Sequence, residues 1–335
     1  MQLRATLTSA IERLTAEHVP SPRLNSELLL MFTLSCDRAY LYAHSERELT
    51  AEEAARYEEA LSHRIRGVPA QYITGHQEFW GLDLIVGPTV LIPRPETEHV
   101  IETVLRLAKE KPLSSSLPNL KIVDVGTGSG AIALALAKEL PSAEIHATDI
   151  SPAALEIAEA NAARLQMESR IKFHDGDLLA ALPNGEFDFV VSNPPYVGKL
   201  EEDQVQLDVR KFEPRDAVFA GETGLEIIER LVPAAEKALK AGGWLVMEIS
   251  GTIAARVRDQ LVGWTEVEII RDLQGIERVV QARKPEGNHP KMRSATRKQC
   301  SNPLSLAGFR GVCGTMLCFL SPYPTLSSAG GFTHV

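Results

Sequence analysis

Phe187-Asp188-Phe189-Val190-Val191-Ser192-Asn193-Pro194-Pro195-Tyr196 is the stretch on which the fold turns. Six mostly apolar residues, rich in aromatic and β-branched side chains, read as a buried strand. Two prolines then stop it. Neither has an N–H to give to a ladder, and both fix φ, so the strand ends near Asn193. Asn193 precedes a proline and is pushed towards an extended conformation. The expectation is a stiff loop at a strand's carboxyl end, with an amide at its base and an aromatic ring at Tyr196. In open α/β sheets that edge is where ligands bind.

Upstream, Lys121–Val125 reads as a strand and Gly126-Thr127-Gly128-Ser129-Gly130 as a glycine-rich turn into a helix over Ala131–Leu140. Glycines allow the tight turn and the close approach of backbone to a ligand. Glu144–Thr148 is the next strand and ends in Asp149, about 20 residues on, where an acid can take two ribose hydroxyls. The spacing Gly-x-Gly-x-Gly differs from the pyrophosphate clamp Gly-x-Gly-x-x-Gly. It favours a nucleoside without a diphosphate, such as S-adenosylmethionine, over NAD. Ser151-Pro152 starts a helix through Leu165, and Ile171–His174 is a third strand followed by Gly176-Asp177-Leu178, with Asp177 placed to border an adenine. Leu225–Leu239 is a helix and Gly243–Ile249 a strand. Val267–Ile270 and Glu277–Ala282 are joined by so short a link that one strand must run antiparallel. Strands alternating with helices call for a parallel sheet.

Residues 1–74 read as a small helical bundle. Ser21-Pro22 offers an N-cap and an N1 proline before Leu24, Leu28, Leu29, Met31 and Phe32. Thr50-Ala51-Glu52-Glu53 is a capping box ahead of Ala54, Tyr57, Leu61 and Ile65. The bundle serves either to cap the larger domain or to hold a protein substrate. Residues 75–93 read as a β-hairpin linker with its turn at Gly81. Within it, Phe79 and Trp80 are either ordinary packing or, lying between two domains, the lining of a pocket. Pro95 suits the first turn of a helix through Val100, Ile101, Val104 and Leu105. Lys111–Leu120, with two prolines and three serines, reads as a loop.

Charge and composition bound the function. The 335 residues carry a net charge of −9, with 44% hydrophobic and 24% charged residues, an ordinary soluble composition. Residues 285–335 hold five Lys or Arg against one Glu, so the body is more acidic than the whole. An acidic body weighs against a grip on bare duplex. That terminal stretch is rich in Pro, Gly and Ser without periodicity and reads as a disordered tail. Of four cysteines, Cys36 alone lies in the body, which fits a reducing compartment, and no metal-ligand spacing occurs. With no signal-peptide core and no apolar run of about 18 residues, a cytoplasmic location off the membrane is expected.

Asn193-Pro194-Pro195-Tyr196 resembles the signature of methyltransferases that modify planar nitrogens, on adenine, guanine or a glutamine side-chain amide. Four more motifs narrow the resemblance: Gln77-Glu78-Phe79-Trp80, Ile92-Pro93-Arg94-Pro95-Glu96-Thr97-Glu98, the glycine run, and Val209-Arg210-Lys211-Phe212-Glu213-Pro214. Together they resemble the HemK/PrmC family, glutamine methyltransferases of peptide chain release factors, over about residues 1–284. Glu248-Ile249-Ser250 departs from it, since the family more often has glycine third. The resemblance implies an α/β, Rossmann-like methyltransferase domain over 94–284, a mostly parallel seven-stranded sheet with one antiparallel strand. It implies S-adenosylmethionine bound by Gly126, Thr127, Gly128, Ser129, Gly130, Asp149, Asp177, Leu178 and Asn193. Asn193, Pro194, Pro195 and Tyr196 would hold the glutamine of a Gly-Gly-Gln tripeptide, with Phe79, Trp80 and Arg94 on the substrate side.

The chemistry fits such a target. An amide nitrogen has a delocalised lone pair and is too weak an acid to be deprotonated first. The Asn193 side-chain oxygen and the Pro194 carbonyl can each accept one amide proton, with Tyr196 packed on the flat face. Asn193, Pro194 and Tyr196 are therefore the candidate catalytic residues. Other targets remain open: glutamine on a ribosomal protein, or an exocyclic amine in nucleic acid. A non-enzymatic Rossmann-like binding module is the alternative from a different class.

Overall fold

A computed structural model describes residues 1–110 and 120–287. The expected loop over 111–120 lies, apart from Leu120, outside them, as does the expected tail from residue 288 onward.

The first 74 residues form α1 (Leu3–Ala16), α2 (Pro22–Leu34), α3 (Arg38–Ala43), α4 (Ala51–Ile65) and α5 (Ala70–Thr74). The capping box is formed: Thr50 Oγ1 accepts from Glu53 N and Glu53 Oε2 from Thr50 N. The start of α2 differs from the reading. Ser21 has φ +49° and its side chain caps nothing, so Pro22 at the first turn carries that boundary without a capping hydroxyl. The buried face of α2 is also rotated. Leu24 and Phe32 are 52% and 49% exposed, whereas Ser26, Leu29, Leu30 and Thr33 are buried. Ser26 and Thr33 can face inward because each hydroxyl donates to a carbonyl four residues back, both at 2.8 Å. Apolar counting alone cannot see that.

The linker is a hairpin of β1 (His76–Phe79) and β2 (Leu82–Ile85). Trp80 and Gly81 both have positive φ, as the tight turns of two-residue hairpins require. A 3-10 turn over Pro95–Thr97 then leads into α6 (Glu98–Glu110).

The larger domain runs β3 (Lys121–Val125), α7 (Ala131–Glu139), β4 (Glu144–Asp149), α8 (Pro152–Arg164), β5 (Ile171–Asp175) and β6 (Phe187–Ser192). After β6 come a 3-10 turn (Lys199–Gln204), α9 (Leu207–Phe212), α10 (Arg215–Val218) and α11 (Glu226–Ala238). The chain finishes with β7 (Leu239–Glu248), α12 (Ala254–Gln260), β8 (Thr265–Arg271) and β9 (Glu277–Arg283). The sheet has the order β5-β4-β3-β6-β7-β9-β8. All neighbours pair in parallel except those of β9, which runs antiparallel to both β7 and β8. This is the expected seven-stranded sheet with one reversed strand. The elements between β6 and α11, and α12, are additions that the sequence reading did not contain.

Two apolar layers cover the sheet. One packs α6, α7 and the hairpin's Phe79, Leu82 and Leu84 on one face. The other packs α11 and α12 on the opposite face. Fully buried Trp244, Phe187 and Phe189 anchor these layers, each burial being worth on the order of 2 kcal/mol. Strand order reverses between β3 and β6, so a crevice opens past their carboxyl ends.

Candidate active site

Glycines build the first half of the site. Gly126, Gly128 and Gly130 have φ of +71°, +57° and +82°, backbone that side-chain-bearing residues rarely adopt. The turn is stitched to the next strand: Gly126 N and Thr127 N both donate to Thr148 O at 2.9 Å, and Gly128 N donates to Asp149 Oδ2 at 2.8 Å. A Cβ at Gly126 or Gly128 would meet nothing within 4 Å, so open space borders the turn there. At Gly130 a Cβ would press on Leu134 and Ala158, so this glycine serves packing of the following helix. Thr127 and Ser129 are buried, the latter 2% exposed, which leaves their backbone rather than their side chains to face a ligand.

Asp124 lies beneath this turn and belongs to the site although the sequence reading did not single it out. Its Oδ2 accepts from Thr127 Oγ1 at 2.6 Å and from Ala133 N at 3.2 Å. Its Oδ1 is buried without a partner, as is the Thr148 hydroxyl. Burial pushes the Asp124 carboxyl up to about 7, against the pull of those two hydrogen bonds. An acid inside an apolar strand, just before a glycine run, was the available signal. Asp149 ends β4 as expected, and it is already engaged, accepting from Gly128 N and from Ser151 N. Asp177 stands two residues beyond the end of β5, exposed and paired with Arg230. Leu178 packs under the α11 layer.

The second half lies one strand over. Val125 and Ser192 are register partners, and Ser192 Oγ donates to Val125 O at 2.7 Å. Gly126 and Asn193 therefore leave adjacent strand ends. Asn193, Pro194, Pro195 and Tyr196 line a cavity of about 620 Å³ with Arg94, Glu96, Glu248 and Arg278. Gln204, Val205, Gln206 and Val209 wall it from the segment between β6 and α11. The glycine turn is not in that wall, so Asn193 stands between the two halves.

A chain of hydrogen bonds fixes Asn193. Its Nδ2 donates to Thr97 Oγ1 at 3.0 Å, and Thr97 Oγ1 donates to Glu248 Oε2 at 2.6 Å. Glu248 Oε1 accepts from the Tyr196 hydroxyl at 3.0 Å. Burial raises the Glu248 carboxyl; the two hydroxyl donors and Arg278 oppose that shift. Burial also raises the Tyr196 hydroxyl, helped by the nearby Glu248 charge. Arg94 does line the cavity, but its guanidinium pairs with buried Glu213, which also accepts from Ile92 N. That pair ties the segment before α6 to the segment after α9.

Two expected substrate residues lie elsewhere. Phe79 is 1% exposed in the layer under α6, and the Trp80 indole donates to Glu139 at 3.0 Å. Neither is in the wall of the cavity that Asn193 lines. The hairpin folds back on the sheet domain through the buried Asn161. Its side chain accepts from Ile85 N and donates to Ile85 O and Ser129 O. Among the described residues no group of three His, Cys, Asp or Glu could hold a metal ion, and no helix is long and apolar enough to cross a membrane.

Residues 5–75 match the PrmC N-terminal domain and residues 110–210 the methyltransferase small domain. A release factor glutamine methyltransferase of Koribacter versatilis is 55% identical over 286 residues, 85% of this chain and 99% of that protein. The chain belongs to this family. The Moorella thermoacetica release factor glutamine methyltransferase is 42% identical over 289 residues, 85% of this chain and all of that protein. The fold is that of methyltransferases more widely. The catalytic domain of hMettl16, solved with a MAT2A 3'UTR hairpin, superposes with a TM-score of 0.50 at 18% identity, over 70% of this chain and 82% of that one. As a release factor glutamine methyltransferase by family, the chain carries the glycine turn, Asp149 and the Asn193–Tyr196 loop at neighbouring strand ends, where sequence spacing put them.

Proposed function

We propose that the protein methylates the side-chain amide nitrogen of the glutamine in the Gly-Gly-Gln motif of peptide chain release factors, using S-adenosylmethionine. The observation that carries the reading is the orientation of Asn193. With its NH2 committed to Thr97, its Oδ1 is left to accept, and Asn193 and Pro194 line one cavity at the strand end next to that of the glycine turn. An amide oxygen and a backbone carbonyl from two consecutive residues suit the two protons of a primary amide.

The residues present fit the methyl donor. Open space at Gly126 and Gly128, with the unpartnered Asp124 Oδ1 beneath, makes a polar cradle of the right kind. Gly126–Gly130 and Asp149 would hold it, with Asp177 and Leu178 at its border, and when bound it supplies an electrophilic methyl group on a sulfonium. Asn193 Oδ1 and Pro194 O hold the acceptor amide by its two N–H groups and draw its protons as charge develops on nitrogen. Proline at 194 and 195 keeps that carbonyl in place, because neither residue can swing φ. Tyr196, held by Glu248, presents its ring to the same cavity. Orientation of this kind supplies several kcal/mol of the ~7–11 available to well-aligned reactants.

A cytoplasmic enzyme without stable nucleic-acid binding follows from the same reading. Incubation with methyl-labelled S-adenosylmethionine, purified release factor, ribosomal protein and RNA tests it, with the modified residue mapped by mass spectrometry. N-methylglutamine in the Gly-Gly-Gln tripeptide is expected. Label confined to RNA or to a ribosomal protein overturns the assignment.

A further inference from the structure

Glu248 reaches Asn193 through Thr97. It sits at the end of β7, one strand beyond β6, and is 2% exposed. The Thr97 and Tyr196 hydroxyls and Arg278 favour the ionised form of Glu248 against its burial, and an ionised carboxylate only accepts hydrogen bonds. Each hydroxyl that meets it must point its single proton inward: Thr97 Oγ1 at 2.6 Å on Oε2, Tyr196 at 3.0 Å on Oε1. Thr97, having spent its proton, can only accept from its other neighbour. That neighbour is the Asn193 side chain at 3.0 Å, which must therefore present NH2 and not C=O. The polarity of the whole chain runs from one buried acid.

We propose that Glu248 is a positioning residue for methyl transfer: acting through Thr97, it locks the Asn193 amide with its oxygen towards the acceptor, and through the Tyr196 hydroxyl it fixes the aromatic ring of the same loop. The inference rests on Asn193 as the residue that orients the acceptor amide. A neutral amide at 248 keeps the shape but no longer enforces the polarity. Its NH2 group can donate to the Thr97 oxygen. Thr97 is then free to donate to Asn193 Oδ1, which turns the asparagine NH2 towards the acceptor's own N–H groups.

Two kinds of variant separate this from a packing role. In Glu248→Gln, kcat falls about 30-fold, within the range for losing an oriented transition-state contact, while KM for the acceptor and Kd for S-adenosylmethionine stay within about threefold. Thr97→Val keeps the volume, breaks the relay and falls comparably. Thr97→Ser keeps the hydroxyl and stays within about threefold of the parent. Calorimetry gives the donor Kd and thermal melting shows that each variant is folded. Should Glu248→Gln not fold, the Thr97 pair decides alone. The inference is overturned if Glu248→Gln or Thr97→Val retains parental kcat, or if Thr97→Ser is as impaired as Thr97→Val. All three are measured on whichever acceptor the unmodified enzyme methylates. A wrong acceptor thus defeats the functional assignment, whereas a wrong rank order defeats this relay.

Discussion

Asp124 and Glu248 are both acids buried near the carboxyl end of a parallel strand, but their surroundings differ. Glu248 has a hydroxyl donor on each oxygen. Asp124 has two donors on one oxygen and none on the other. A buried polar atom left alone costs free energy comparable to a lost hydrogen bond. That cost lies in the strand directly under the glycine turn, to which Asp124 is tied through Thr127. The two acids mark the two halves of the site: in one the carboxylate's hydrogen bonding is complete, in the other it is not.

The sharpest way to break the contrast is Asn193→Ala. Methyl transfer should fall by about 100-fold or more, while donor affinity stays within about tenfold, since the glycine turn and Asp149 are untouched. Radiometric turnover and calorimetry read the two effects; near-parental turnover would remove Asn193 from the chemistry. Next in size is Gly128→Val. It adds a β-branched side chain at φ +57° and fills the open space, so donor affinity should drop by about 30-fold or more with the acceptor side intact.

Asp124→Asn tests the incomplete half through pH. The carboxyl is pushed from an ordinary 3.8 to about 7 in the folded protein, so between these values the folded state holds a proton that the unfolded chain releases. Stability from this group is therefore lost as pH rises through that window. Going from pH 5 to pH 8 without donor, the parent should lose on the order of 2 kcal/mol relative to Asp124→Asn, read by denaturant unfolding at each pH. Equal slopes would mean that Asp124 titrates normally. The smallest effect belongs to Pro194→Ala, which keeps the carbonyl and only loosens it. A loss of a few-fold in kcat is expected, and a loss as deep as that of Asn193→Ala would show that the ring itself is needed.

The succession of strands along the chain and the positions of Gly126–Gly130, Asp149 and Asn193 at their ends were legible because each rests on local chemistry. Glycine spacing, a proline stop and an acid at a strand end all act within a few residues. What escaped depends on contacts across the chain. Asp124 reads as one polar residue in a strand until the fold shows that nothing meets its Oδ1. Thr97 and Glu248 lie 151 residues apart and share a hydrogen bond that no spacing announces. Arg94 points to the site, but its partnership with Glu213, 119 residues on, makes it a tie as well as a wall. The rotated face of α2 failed for a related reason, since Ser26 and Thr33 hide their hydroxyls on their own helix. Phe79 and Trp80 were ambiguous as a pair because an aromatic fills a core and a pocket equally well.

Asn161 has a consequence for anyone recombining these enzymes. One side chain clasps the backbone of Ile85 by both its groups and, with its remaining proton, the carbonyl of Ser129. The hairpin that follows the N-terminal bundle is thus buttoned to the glycine turn. A chimera taking its first 90 residues from one relative and its core from another inherits the two sides of that button from different parents. Alanine at 161 would leave the grafted piece held by its apolar packing alone at that point, and the glycine turn would lose its tie through Ser129.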